Sequence, residues 1–296
     1  MSDSGFQMDR CAIIFGGRSR QGVRIYDRIK EQFGGQVRQM EVLSRPEHLA
    51  DIVRKAASSG VNLIAVAGGD GSINHALAPI MDNDLTMGLI PTGTGNALAH
   101  ELGVPVNPIE AFEWMFTEAK VRPIDVGVFN GKPFATVATL GLTTKIAQEL
   151  QSTSKGAFGR LAYVPAIIRA LRVTLPFAVD MEAGKEAFHG KAVQIVVAAG
   201  RDHGGPFLTT PNAANDDGLL SIYAVRPENN LTFAAYGLAL VAGRQTMLRN
   251  VWSCEAPSVR ISVRKEGRFI VDGDPHRAKV AEISIRPRAI RVLAAG

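Results

Sequence analysis

Cysteine is scarce: the 296 residues hold two, Cys11 and Cys254, with no CxxC or zinc-ligand spacing. That excludes a disulfide framework and predicts a reduced, cytoplasmic setting. Long apolar runs are missing too. The longest, Leu231 to Gly243, falls short of the roughly 20 residues of a membrane span, so it predicts a buried or amphipathic helix. The opening MSDSGFQMDR is polar and partly acidic, which predicts no secretory signal. No low-complexity tract or internal repeat breaks the chain. Its basic residues lack aromatic interleaving and zinc-finger spacing, so no nucleic-acid partner is expected.

What is present is the composition of a folded protein, 46% apolar and 21% charged, long enough for two modest domains. The net charge of +5 is uneven. Residues 1–120 sum to −3, residues 121–240 to +2 and residues 241–296 to +6. A basic C-terminal part predicts peripheral contact with anionic lipid headgroups, each cation contributing about 1 kcal/mol. The plainer alternative is that Arg260, Arg264, Arg286 and Arg288 decorate solvent faces of strands.

The first 120 residues alternate two periodicities. Cys11–Phe15, Val61–Ala67 and Leu85–Ile90 are continuous apolar runs, as in strands buried on both faces, and Gln36–Leu43 alternates as a strand. Helical spacing follows each: Val23, Ile25, Ile29 and Phe33, then Pro46–Ala57, Ser72–Met81 and Asn96–Leu102. This predicts a parallel sheet with helices on both faces. After Asp125, short runs dominate (Val126–Val128, Phe134–Thr139, Ala192–Ala198, Leu219–Val225, Ser258–Val263, Phe269–Val271, Glu282–Ile285). Turn residues such as Asn130-Gly131, Gly204-Gly205-Pro206 and Asp272-Gly273 separate them, predicting an antiparallel β domain. Two helices interrupt it, at about Arg160–Arg172 and Leu231–Gly243. The expected domains are 1–122 and 123–279, with residues from about 280 to 296 returning to the first.

The strand VNLIAVA delivers its carboxyl end to Gly68-Gly69-Asp70-Gly71-Ser72. Ligands of open α/β sheets bind at such ends. Glycines there let backbone N–H groups approach an anion, and the following helix adds the partial positive charge of its N-terminus. Asp70 would repel a bare phosphate, so Mg²⁺ between the two is one reading, and a helix cap the other. TMGLIPTGTGNALA repeats the design with Thr92, Gly93, Thr94, Gly95 and Asn96. Two phosphate-type turns on successive strands imply one nucleotide site. Neither is a GxxxxGK[ST] loop, and neither is a clean GxGxxG followed by an acid, which disfavours P-loop kinases and dinucleotide-binding Rossmann units.

Gly68-Gly69-Asp70-Gly71-Ser72-Ile73-Asn74 resembles the GGDGTxN signature of the diacylglycerol kinase catalytic-domain family, which includes sphingosine and ceramide kinases. Pro91–Asn96 is similar to its PxGTGN element. Ile124-Asp125-Val126-Gly127, Pro211–Leu220 and Val271-Asp272-Gly273-Asp274 resemble three further family elements, in order. The resemblance covers about residues 12–275. It implies an α/β nucleotide domain and a β-sandwich-like lipid-substrate domain with the active site between them. It also implies phosphorylation of a lipid hydroxyl (diacylglycerol, ceramide or a sphingoid base) by ATP with Mg²⁺.

On the same resemblance, Asp274 stands where the family has a glutamate proposed as the base, one methylene shorter. Asp70 is the second candidate base, and Asp70 and Asp125 would hold the catalytic Mg²⁺. Gly16, Gly17, Arg18, Ser44, Gly68, Gly69, Asp70, Gly71, Ser72 and Asn74 join the Thr92–Asn96 turn as the ATP-binding set. Asp217 and the Leu219 carbonyl resemble a separate structural Mg²⁺ site of bacterial members. The chain departs from the family at Phe15-Gly16-Gly17-Arg18-Ser19, where many members have NPxSG, and at Ser44, near an ATP-contacting threonine. GNALA resembles the sphingosine and ceramide kinase branch. Two rival readings are an NAD kinase, which shares GGDGT, and a non-catalytic nucleotide or lipid sensor, suggested by aspartate at 274. Oligomeric state stays open, a homodimer included.

Overall fold

Three apolar runs form the centre of the first sheet. β1 (Cys11–Gly16), β3 (Leu63–Gly68) and β4 (Thr86–Pro91) are buried along almost their whole length, as strands covered on both faces must be. β1 pairs in parallel with β3 and with β2 (Gln39–Leu43), and β3 pairs in parallel with β4. The end of β14 (Asp274–Ala294) completes the sheet, with Arg291 and Val292 parallel to Thr86 and Met87. The computed structural model describes residues 5–16, 20–43, 45–93, 95–141, 175–200, 216–228, 236, 239 and 244–296.

The helices are α1 (Arg20–Phe33), α2 (Leu49–Ser58), α3 (Asp70–Asp82), α4 (Ala97–Glu101) and α5 (Pro108–Thr117). The stretch from Pro46 begins as a 3-10 turn, and α2 starts only at Leu49. α5 has no counterpart among the expectations, although its start signals are plain. Pro108 occupies the first helical position and the Asn107 side chain accepts from the Ile109 N–H at 3.0 Å. Phe112 of α5 meets Phe33 of α1 with ring centroids 5.0 Å apart.

The chain divides into two units, Met1–Val126 with Pro287–Gly296, and Gly127–Arg286. β5 (Lys120–Phe129) and β14 each begin in one unit and end in the other. The second unit adds β6 (Lys132–Phe134), β7 (Val137–Gly141), β8 (Phe177–Ala183), β9 (Glu186–Ala192), β10 (Gln194–Ala198), β11 (Leu220–Val225), β12 (Val251–Ala256) and β13 (Ser258–Val271). Its described ladders are antiparallel, in the order β12-β11-β10-β7-β13-β14, with β8–β9 a hairpin on β13. Phe134, Phe188, Ile195, Ile222, Ile261 and Phe269 lie in its core.

Several expected runs change length. Phe134–Thr139 is two strands, because the N–H groups of Ala135 and Thr136 turn to a carboxylate, Asp272, instead of a ladder. Ser258–Val263 and Phe269–Val271 are one strand, β13, with a register shift between Ser262 and Gly267. β8, β9 and β12 were not among the expected strands. The expected helix at Arg160–Arg172, and Leu231–Gly243 apart from Tyr236 and Ala239, lie outside the described residues, as do His203 and the Gly204-Gly205-Pro206 turn. Among the described residues no helix is long and apolar enough to cross a membrane. Both cysteines are free thiols, and burial pushes Cys11 up to about 12 and Cys254 to about 11, which makes neither a nucleophile.

Candidate active site

The two glycine turns meet at the carboxyl ends of β3 and β4. Gly68 pairs with Pro91, and the Thr92 N–H donates to the Gly68 carbonyl at 3.1 Å. Beyond that pair the backbones touch. A Cβ on Gly93 would lie 2.6 Å from the Gly69 Cα and 2.8 Å from the Asn96 Oδ1. Glycine is required here for close approach of two backbones, whatever is bound. Gly93→Ala should therefore cost about 1–3 kcal/mol, as overpacking does, read as a lower urea midpoint with an unchanged m-value.

Asn96 locks the second turn. Its Oδ1 accepts from the Gly93 N–H and its Nδ2 donates to the Gly93 carbonyl, each at 2.9 Å, while its own backbone is left-handed at φ 50°. Asparagine tolerates that region better than most residues. Asp70 joins the turns from the other side. Its Oδ1 accepts from the Ala97 N–H at 2.7 Å, at the start of α4. A Cβ on Gly95 would come within 2.6 Å of its Oδ2. The carboxylate thus caps the helix of the second turn from the first residue of α3.

Gly16 and Ser72 are also close: a Cβ on Gly16 would sit 2.7 Å from the Ser72 Oγ. The carboxyl end of β1 therefore abuts the first turn of α3, where the Ser72 N–H already donates to the Gly69 carbonyl at 3.0 Å and the N–H groups of Asp70 and Gly71 precede the first helical carbonyl. One turn on, the Asn74 Oδ1 is buried and has no hydrogen-bond partner among the described residues. Gly68, Gly69, Asp70, Gly71, Ser72, Asn74, Thr92, Gly93, Gly95, Asn96 and Gly16 are thus gathered at one end of one sheet. Gly17, Arg18, Ser44 and Thr94 lie outside the described residues. His75 and His100 flank the turns but are exposed.

Asp125 sits elsewhere in this unit, on β5. It is 1% exposed, and its Oδ1 accepts from the Arg288 N–H at 2.7 Å. Arg288 has φ 50°, so the carboxylate pins a left-handed residue within β14.

In the second unit, Asp272 and Gly273 form the two-residue turn of the β13–β14 hairpin, with φ 45° and 92°. An Asp-Gly pair suits this twist because both residues must take positive φ. Asp274 is the first residue of β14, opposite Val271. Asp272 is the residue that sequence reasoning passed over. Its carboxylate accepts from the N–H groups of Ala135 (2.6 Å), Thr136 (3.0 Å) and Val137 (2.9 Å), and from the Thr136 hydroxyl (2.6 Å). Burial pushes this carboxyl above its ordinary 3.8, while the four donors pull it back. The only sequence signal was its place in Val271–Asp274.

Asp217 is exposed, and its Oδ1 accepts from the Leu219 N–H at 2.9 Å, an ordinary Asx turn. Among the described residues no three His, Cys, Asp or Glu side chains are grouped as a metal cluster. Mg²⁺ is often held by one or two carboxylates plus substrate phosphates. Asp70 fits that use, because one of its two oxygens is engaged by Ala97 and the other faces the glycine turn. The orphaned Asn74 oxygen and the close-packed turns fit a nucleotide.

The diacylglycerol kinase catalytic domain family matches residues 14–129, and the YegS C-terminal NAD kinase beta sandwich-like domain matches residues 136–294. The chain belongs to the diacylglycerol kinase catalytic-domain family. Membership accounts for an α/β unit with two glycine turns followed by a β unit. Similar members include a diacylglycerol kinase of Bacillus subtilis strain 168, 29% identical over 75% of this chain and 74% of its own. A diacylglycerol kinase of Mycobacterium tuberculosis is 28% identical over 86% of this chain and 84% of its own. The fold resembles a crystal structure of a diacylglycerol kinase from Bacillus anthracis, with TM-score 0.72 at 21% identity over 96% of both chains. Membership in a kinase family implies use of ATP.

Proposed function

We propose that the protein is an ATP- and Mg²⁺-dependent lipid kinase that phosphorylates a hydroxyl of diacylglycerol, ceramide or a sphingoid base. The observation that carries this reading is the pair of backbone-packed glycine turns joined by the Asp70 carboxylate, in a member of this kinase family. The N–H groups that lead α3 would take the phosphate charge, and Gly71, where a Cβ would meet nothing within 4 Å, stands on the open side of the turn. Asn96 and Asp70 keep the turns in register. Mg²⁺, when bound with the nucleotide, neutralises charge on the transferring group. The free oxygen of Asp70 would hold it, with Asp125 acting on the first unit's structure through Arg288.

The acceptor hydroxyl is a weak nucleophile until a base takes its proton. Asp274 is assigned that role. The hairpin turn fixes where its backbone starts, and Asp272 ties that turn to Ala135–Val137. Asp274→Ala should lower turnover roughly 100-fold or more, the usual worth of a general base, with nucleotide affinity kept. Purified protein, labelled ATP and a panel of diacylglycerol, ceramide, sphingosine and NAD, read by mass spectrometry, checks both claims. Label in NADP and none in lipid would sink this reading. A wild type that binds ATP and labels nothing, like Asp274→Ala, would favour a sensor.

Peripheral membrane contact is part of the proposal. Arg260, Arg264, Arg286 and Arg288 are exposed, although Arg260 is paired with Glu282. Such exposed pairs contribute little, so the arginine remains usable by a lipid surface.

A further inference from the structure

The second unit carries two titratable side chains where its core face meets solvent. Side chains alternate along a strand, so Asp274, His276 and Ala278 of β14 share one face. Across the hairpin they stand opposite Val271, Phe269 and Gly267 of β13. Val271, Phe269 and Ala278 belong to the hydrophobic core, whereas Asp274 and His276 are half-buried. The core face therefore ends in a carboxylate and an imidazole, side by side.

The imidazole is held in place. Its ring lies 5.5 Å from the Phe129 ring, centroid to centroid, and Phe129 lies 5.2 Å from Phe269. The packed elements present few charges to it: β5 offers Phe129 and β13 offers Phe269. Among the described residues, Lys132 of β6, opposite Phe129 in its ladder, and Asp274 on its own strand are the charged groups that act on it. Burial lowers the pKa of His276 from 6.5, Lys132 lowers it further, and Asp274 opposes both. The ring is thus neutral at pH 7 and able to accept a proton.

We propose that His276 is a positioning residue that relays the proton taken by Asp274, an inference that rests on the lipid kinase reading. In the step, the lipid O–H bond breaks as its oxygen bonds the γ-phosphorus, and the bond to the leaving nucleoside diphosphate breaks. The proton goes to the Asp274 carboxylate. A ring nitrogen of His276 takes it from there, directly or across one water, and releases it to solvent. Residues two apart on a strand stand roughly 6.6 Å apart, within reach of two side chains and a water. An aspartate one methylene short of glutamate leaves more distance to cover, which gives a second acceptor on the same face a use.

The test uses the full chain, labelled ATP and the lipid that wild type phosphorylates best. His276→Ala and His276→Gln should each lower kcat roughly tenfold or more, with KM for ATP unchanged. The acid limb of the wild-type kcat–pH profile, below the usual histidine range, should be lost in both. Added imidazole should restore His276→Ala, where it has room, and not His276→Gln. Wild-type kcat in both variants at every pH overturns the relay. So does a loss that imidazole leaves unchanged and that tracks a lower melting temperature. Absence of any lipid label with wild type removes the kinase reading itself, and the relay with it.

Discussion

Asp70→Ala should lose at least about 100-fold in turnover, the scale of removing one electrostatic contact to charge that develops in a transition state. That variant alone is ambiguous, because the same carboxylate caps α4 through the Ala97 N–H. Losing a cap costs about 0.5–2 kcal/mol and could disturb the second turn by itself. Asp70→Asn separates the two roles. Asparagine keeps an oxygen for the Ala97 N–H and loses the charge. It should fold with nearly wild-type stability and be as inactive as the alanine variant. A melting curve and a lipid-phosphorylation assay on all three proteins decide the matter. Full activity in Asp70→Asn would reduce Asp70 to a cap.

The largest effect on stability is expected at Asp272. Four donors converge on one buried carboxylate, and alanine would leave all four without an acceptor. Stranded buried donors around a lost charge cost about 3–5 kcal/mol. For a unit of this size that corresponds to a fall of roughly 10 °C in melting temperature. Asparagine rescues only part of it, because its amide nitrogen brings two more donors into a site already made of donors. Differential scanning calorimetry of wild type, Asp272→Asn and Asp272→Ala should rank them in that order. Equal melting temperatures would mean that the clamp contributes nothing.

These two aspartates mark where sequence reading stops. The strand at Leu63–Gly68 and the glycines after it were legible because hydrophobic runs and turn residues are local signals. So was the second turn, and so was the ordered series of family elements. What Asp70 touches was not legible, since Ala97 lies 27 positions away. Asp272 meets backbone groups more than 130 residues earlier, and Asp125 meets one 163 residues later. A carboxylate that binds its own chain and one that binds a metal look alike in a string of letters. β9 escaped for a different reason. Its burial is confined to Phe188 and Ala192, so neither alternation nor a continuous run announces it. α5 escaped despite good capping because it is apolar around most of its circumference, with Ile109, Ala111, Phe112, Trp114, Met115 and Phe116 all buried. That blurs the helical stripe.

The path of β14 also sets a timetable for the chain as it is made. Gly127–Arg286 is continuous in sequence, so every residue that unit needs exists before Pro287–Gly296 are added. The sheet of the first unit lacks a strand until Arg291 and Val292 arrive beside β4. Domains usually mature in the order of their synthesis. Here the first unit starts before the second and is completed after it, so the sheet that carries the glycine turns closes only when the segment beyond Arg286 joins it.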